Sequence, residues 1–230
     1  MWGGLEGSWK TVERMVLISN RKSMQKITIF YISLMSKDLF MSNKRNLHIK
    51  DNYDFYNQLL TKRKSIFAEV IEIKKVGNNH NTLEELVTVK HPDVENEMLL
   101  LVDVKVNNYH FFQFKLRYKE FVENPIFRFD SDGDTHWNRI DGIPLEKQQV
   151  LTPHFHKFNE NGIEIAYKTD QLQDEKKSKA LEDIEVCIAH FFHECNIRLK
   201  EDGFPAIKIL SNQLGFSYEK EDPNQNIQFP

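Results

Sequence analysis

His110-Phe111-Phe112-Gln113-Phe114-Lys115-Leu116-Arg117-Tyr118-Lys119 is the stretch from which the fold is read. Apolar Phe112, Phe114, Leu116 and Tyr118 alternate with polar Gln113, Lys115, Arg117 and Lys119. Successive side chains of a strand point to opposite faces. This run is therefore a strand with one face in a core and the other toward water, the habit of an antiparallel sheet. Lys115, Arg117 and Lys119 share the polar face, where they can hold phosphate oxygens. The plainer reading of that face is a solvated outer surface.

Similar runs lie on both sides: Phe67–Lys75, Leu83–Lys90, Glu97–Val106, Ile126–Asp130, Leu151–Phe158 and Gly162–Lys168. The links Gly77-Asn78-Asn79, Pro92-Asp93, Asn107-Asn108 and Asn159-Glu160-Asn161 suit hairpins and are too short for helical crossovers. A helix is expected over Asp51–Lys64, capped by Asp51 or Asn52, with Tyr53, Tyr56, Leu59 and Leu60 at helical spacing. A second is expected over Ser178–Asn196, where Leu181, Ile184, Ile188, Phe191 and Cys195 form one apolar stripe. Ala206–Phe216 reads as an edge element and Ser217–Pro230 as a solvated tail. The fold class that follows is α+β: a mainly antiparallel sheet with an N-terminal helix and a long C-terminal helix packed on it.

Composition narrows the function classes. With 31 basic and 34 acidic residues the chain carries a net charge of −3, which argues against a histone-like nucleic-acid binder. Its 9 glycines form no phosphate-loop or dinucleotide fingerprint. The charge is uneven: residues 1–40 hold six basic and three acidic side chains, leaving 25 and 31 for the remainder. The apolar run Ile27–Met35 in that front is too short to span a membrane, and no small-x-small cleavage site follows it. Met41, followed by Ser-Asn-Lys-Arg-Asn, reads as the start of a cytoplasmic protein, which makes residues 1–40 an extension and 41–216 a single domain. Cys187 and Cys195 fall eight residues apart on one expected helix, roughly 12 Å, beyond the reach of a disulfide. Unbridged cysteines suit a reducing cytoplasm.

Reactive side chains gather around Ser131–Val150, twenty residues rich in Asp, Gly and Asn. A loop that long inside a domain is often functional. Before it, Phe127-Arg128-Phe129-Asp130 puts Arg128 and Asp130 on the face opposite the two Phe. After it, His154 and His156 stand two apart, with both imidazoles on one side of a strand and roughly 7 Å between them. Such a pair serves one metal ion or an acid/base couple, although roughly 0.35 His-x-His pairs arise from this composition by chance. Asp130, Asp132, Asp134 and Asp141 imitate part of a calcium loop, but Gly133 is misplaced and a strand stands where an EF-hand has a helix. His190, His193 and Glu194 resemble half a metal site, yet lie off the apolar stripe and read as exposed. His48, His80 and His91 read as residues of polar loops.

The order of these residues resembles an uncharacterised bacterial family, a domain of unknown function with an Arg-x-Asp … Gly … His-x-Asn … Pro-His-x-His core. The matching positions are Arg128, Asp130, Gly133, His136, Asn138, Pro153, His154, His156 and Phe158, then Ala166 and Tyr167, within a resemblance covering roughly residues 51–197. Asp134-Thr135 replaces the family's Pro-Pro, and Arg139–Gln149 lengthens the loop. The resemblance implies that the two His motifs belong to one site and brings no established activity.

The reading that follows is a phosphodiester hydrolase, specifically an endoribonuclease of a bacterial conflict or mobile-element system. His136, His154 and His156 would move protons, with Asp130 and Asn138 beside them. Arg128, Arg117, Lys115 and Lys119 would bind the phosphate. A metal version makes His154, His156 and His136 or Asp130 ligands of a divalent ion. The alternative is a non-enzymatic, nuclease-inhibiting factor of the toxin–antitoxin or anti-CRISPR kind, with a structural His cluster and a partner protein in place of RNA.

Overall fold

Alternation like that of residues 112–118 recurs along the chain, and hydrogen bonding between these runs builds one large sheet. The computed structural model describes residues 45–77, 81–200 and 203–210. The chain opens with helices α1 (Leu47–Asp51) and α2 (Tyr53–Thr61). Strands follow: β1 (Lys64–Ile66), β2 (Val70–Ile73), β3 (Lys75–Val76), β4 (Thr82–Lys90), β5 (Met98–Lys105), β6 (Asn108–Arg117), β7 (Phe127–Asp130), β8 (His136–Trp137), β9 (Gln149–Val150), β10 (His154–Phe158) and β11 (Glu164–Tyr167). Then come α3 (Asp170–Gln173), α4 (Glu175–Ala180), α5 (Ile184–Glu194), β12 (Ile197–Leu199) and β13 (Ala206–Ile209).

The main sheet has nine strands in the order β11-β10-β7-β6-β5-β4-β1-β12, with β3 also paired to β4. Every pairing in it is antiparallel except β1 with β12. Pairs β2–β13 and β8–β9 stand apart from it. The fold is thus α+β with a mostly antiparallel sheet. Every described residue falls in one compact unit. The readings made of residues 1–40, of His80 and of Ser217–Pro230 lie outside the described residues.

One face of the sheet is aromatic. Phe112 and Phe114 of β6, Phe127 and Phe129 of β7 and Phe155 of β10 are all buried, and α5 lies over them. Phe191 is the hub, with ring centroids 5.3 Å from Phe114, 5.3 Å from Phe127 and 6.4 Å from Phe155. Such pairs add about 0.5–1.5 kcal/mol each beyond the area they bury. From α2, Tyr56 reaches the same core; its hydroxyl donates to Ile126 O (2.9 Å) and accepts from Phe158 N (2.8 Å).

The helices depart from expectation. Asp51–Lys64 is two short helices: Asn46 caps α1 through Ile49 N, and α2 ends at Thr61. Lys64 lies beyond it, fully buried, and its ammonium donates to the carbonyls of Leu59, Leu60 and Lys62, each at 2.8 Å. Those carbonyls lack partners within the helix, so the cation closes its C-terminus. The expected long helix over Ser178–Asn196 is broken between α4 and α5. Asp183 ends the continuity by accepting from Glu185 N and Val186 N as an N-cap, which leaves α5 with 11 residues.

Other boundaries shift too. Phe67–Lys75 divides into β2 and β3, with Phe67 outside them and exposed. β10 begins only at His154, after a cis Thr152–Pro153 peptide. The Ser131–Val150 segment is not structureless, since it folds back as the β8–β9 hairpin around a single 3-10 turn at Leu145–Lys147. Buried Gln148 holds the hairpin's tip, bonding the N–H of Ile140 and the carbonyls of Ile140 (3.0 Å) and Ile143 (2.6 Å).

Candidate active site

The sheet's second face is polar, and strand register decides what meets there. Directly paired residues of neighbouring strands share a face. Asp130 of β7 pairs with Gln113 of β6 on one side and His154 of β10 on the other, while Arg128 pairs with Lys115 and His156. The loop between β7 and β10 returns as a hairpin, so these two strands are neighbours and their reactive side chains converge. Ser131 fastens the end of β7 to β6, its hydroxyl donating to His110 O and accepting from Phe112 N, both at 2.7 Å.

At the centre lies Asp130 Oδ2, 3.0 Å from His156 Nε2, 3.8 Å from His154 Nε2 and 3.2 Å from Arg128 Nε. The His154 and His156 ring centroids are 4.6 Å apart, closer than the spacing along an ideal strand suggests. His136 of β8 lies edge-on to both, 4.7 Å from His156 and 6.2 Å from His154. Both His154 and His156 are 2 % exposed. Yet Nδ1 of each, and Oδ1 of Asp130, are buried without a hydrogen-bond partner. Buried polar atoms are seldom left so, and each such case calls for a physical explanation.

Electrostatics divides the charges. Burial opposes ionisation of Asp130, but its close contact with His156 and the positive charge of Arg128 outweigh it and hold the carboxyl below its ordinary range. Burial, reinforced by His156, pushes the His154 imidazole down to about 4. His136 is lowered as well, by burial and then by His156. Near neutral pH the site thus holds an anionic Asp130 with His136 and His154 uncharged.

Asp130, Arg128, His136, His154 and His156 line a cleft of about 520 Å³, with Asp132, Asp134 and Thr135 at its loop edge. Asn138 is not turned to an imidazole. Its amide donates to Ala166 O (2.9 Å) and accepts from Ala166 N (2.7 Å), clasping the loop to β11 in the manner of a strand. Lys115 lies on the same polar face but is paired with Asp103 at 2.5 Å. Arg117, also on that face, lines an adjoining cavity, and its Nε is buried without a partner. Lys119 is exposed in the turn after β6 and lines neither cavity.

The calcium-like spacing does not assemble. Among the described residues, the group of three able to hold a metal ion is Asp130, His154 and His156, and Asp132, Asp134 and Asp141 are not part of it. His190, expected to be exposed, is buried against Phe155 with ring centroids 5.4 Å apart, and its Nε2 lies 2.9 Å from Thr169 Oγ1. The buried sector of α5 is wider than one stripe: Phe155 and Thr169 cover His190, while Phe204, from the returning chain, packs on Phe192. His193 does stay exposed. His91 is buried too: its Nδ1 accepts from Asp93 N and its Nε2 meets Gln58 O.

One member of the site escaped the sequence reading. Glu164 of β11 places Oε1 3.4 Å from His156 Nδ1 and 3.5 Å from Arg128 Nη2. Only the β10–β11 register brings it there, and nothing in the local sequence signals that. No family model matches this chain, and neither a curated protein nor a solved structure matches it. The motif resemblance therefore rests on its own residues.

Proposed function

We propose that the cleft on the polar face hydrolyses a phosphodiester, with single-stranded RNA as the substrate class. The observation that carries this reading is the convergence of three imidazoles, one carboxylate and one arginine in a single cleft. Its volume lies in the roughly 300–1,000 Å³ range of small-ligand sites, which suits one nucleotide unit.

In this reading His154, held uncharged by burial, accepts the proton of the attacking hydroxyl. The imidazolium so formed on His154 returns its proton to the leaving oxygen, with uncharged, half-buried His136 beside it. Each well-placed transfer contributes about 10²–10⁴-fold. Arg128 faces the phosphate oxygens, while the carboxylates of Asp130 and Glu164 flank His156 at 3.0 and 3.4 Å.

The test compares the wild type with a His154→Ala, His156→Ala double variant on end-labelled single-stranded oligoribonucleotides. Cleavage by the wild type, with a loss of about 10³-fold or more in a folded double variant, is expected. A folded double variant that cleaves as fast as the wild type contradicts the reading. So does a wild type without action on RNA, and that result would favour a protein-binding role.

A further inference from the structure

Two contacts of His156 cannot both be satisfied. Its Nε2 lies 3.0 Å from Asp130 Oδ2 and 3.0 Å from Arg128 Nη2. If Nε2 carries a proton, it donates to Asp130 and turns that N–H toward a guanidinium N–H. If Nε2 is bare, it accepts from Arg128, and two electron-rich atoms, Nε2 and Oδ2, face each other at 3.0 Å. Glu164 favours the bare form by its charge: its carboxylate lies 3.4 Å from Nδ1, a contact without hydrogen-bond geometry in this structure. A ring oriented in this way, with Nδ1–H toward a carboxylate and a free Nε2, is the usual state of a metal-binding histidine.

The remaining ligand atoms are in place. Those of Asp130, His154 and His156 all lie within 4.8 Å of one another. Ligands at about 2.0–2.2 Å from one ion are roughly 3.0–3.5 Å from each other. His156 Nε2 already stands 3.0 Å from Asp130 Oδ2 and His154 Nε2 stands 3.8 Å from it, so closing on an ion requires small side-chain adjustments. His154 is 2 % exposed and turns Nε2 toward the same carboxylate as His156.

We infer that Asp130, His154 and His156 form a binding site for one divalent transition-metal ion, with Glu164 orienting His156 and Arg128 competing as an internal cation. Two imidazoles and one carboxylate suit zinc, cobalt or manganese better than magnesium or calcium. With the ion bound, Nε2 and Oδ2 share it, and Arg128 moves toward Glu164, from which its Nη2 is already only 3.5 Å away. This inference rests on the geometry of the cluster and not on the hydrolytic reading.

The test dialyses metal-stripped protein against Zn²⁺ and Co²⁺ and measures the bound ion per chain. One ion per chain is expected, with Co²⁺ giving visible absorption and hyperfine-shifted N–H resonances from two imidazoles. Arg128→Met, which removes the competing cation, should bind Zn²⁺ about tenfold more tightly or better. His156→Gln, folded by circular dichroism, should lose the ion. Should that variant fail to fold, the imidazole resonances of the Co²⁺ wild type still report the ligands. A wild type that retains no ion, Co²⁺ spectra without shifted imidazole signals, or an Arg128→Met variant with unchanged or weaker affinity overturns the inference. Ion binding without RNA cleavage supports the site and removes the hydrolytic reading; RNA cleavage by a wild type that takes up no ion does the reverse.

Discussion

His156 Nδ1 lies 3.4 Å from Glu164 Oε1, across the pairing of β10 with β11. The charge of the carboxylate thus biases which way the imidazole presents its other nitrogen to Asp130 and Arg128, without hydrogen-bond geometry at Nδ1. Glu164→Gln keeps the shape and removes the charge. We expect RNA cleavage to fall about 10–100-fold with thermal stability nearly unchanged, because the lost group positions another without filling the core. Rate and melting temperature measured on one preparation check this; a clear fall in melting temperature accompanying the lost rate would mark Glu164 as merely structural.

Asn138→Ala removes both hydrogen bonds to the Ala166 backbone. About 1–2 kcal/mol of stability should go with them, and the hairpin of β8 and β9 should detach. Limited proteolysis checks it: faster cutting within residues 131–150 is expected, and unchanged cutting would contradict the clasp.

Stability should fall with acid. Burial holds the imidazoles of His190 and His91 below the ordinary 6.5, and pushes that of His154 to about 4. As pH drops below the unfolded value, the unfolded chain takes up protons that the fold refuses, so stability declines until the folded groups also titrate. The melting temperature should therefore be lower near pH 5 than near pH 7.5. His190→Asn should flatten that slope; a variant with the wild-type slope would show that His190 does not contribute to it.

Gly162 has φ +70°, and a Cβ there would stand 2.1 Å from the carbonyl oxygen of Asn46. The Gly162 carbonyl also accepts from Asn46 N at 2.8 Å, so this turn holds the start of α1. Gly162→Ala should cost about 2 kcal/mol or more, combining backbone strain with displacement of main chain. Denaturant unfolding measures it.

Phe191→Ala should cost about 3–5 kcal/mol, since its ring touches β6, β7 and β10 at once. His193→Ala, exposed on the same helix, should change stability by less than about 0.5 kcal/mol. Comparable losses from the two would contradict the assigned orientation of α5.

Period-two alternation made β4, β5, β6, β7 and β11 legible within a few residues, and with them the facing of Arg128 and Asp130. His154 and His156 could be placed on one side of a strand for the same reason. Register between strands was not legible, because it depends on partners distant in sequence; Glu164 was missed on that account. The break at Asp183 was hidden because the apolar spacing runs on through a residue that serves as a cap. Lys64 reads as the last residue of a polar helix end, and only the turn of the chain after Thr61 brings its ammonium back onto the carbonyls. His190 lies off the stripe that periodicity picks out, and is buried because Phe155 of β10 and Thr169, both distant in sequence, close over it.

The most direct measurement is the single-turnover rate at which the wild type and Asp130→Asn cleave a single-stranded oligoribonucleotide. Asp130 touches both imidazoles and Arg128, so the account predicts wild-type cleavage and a fall of about 100-fold or more in a folded variant. Equal rates in the two folded proteins would contradict it.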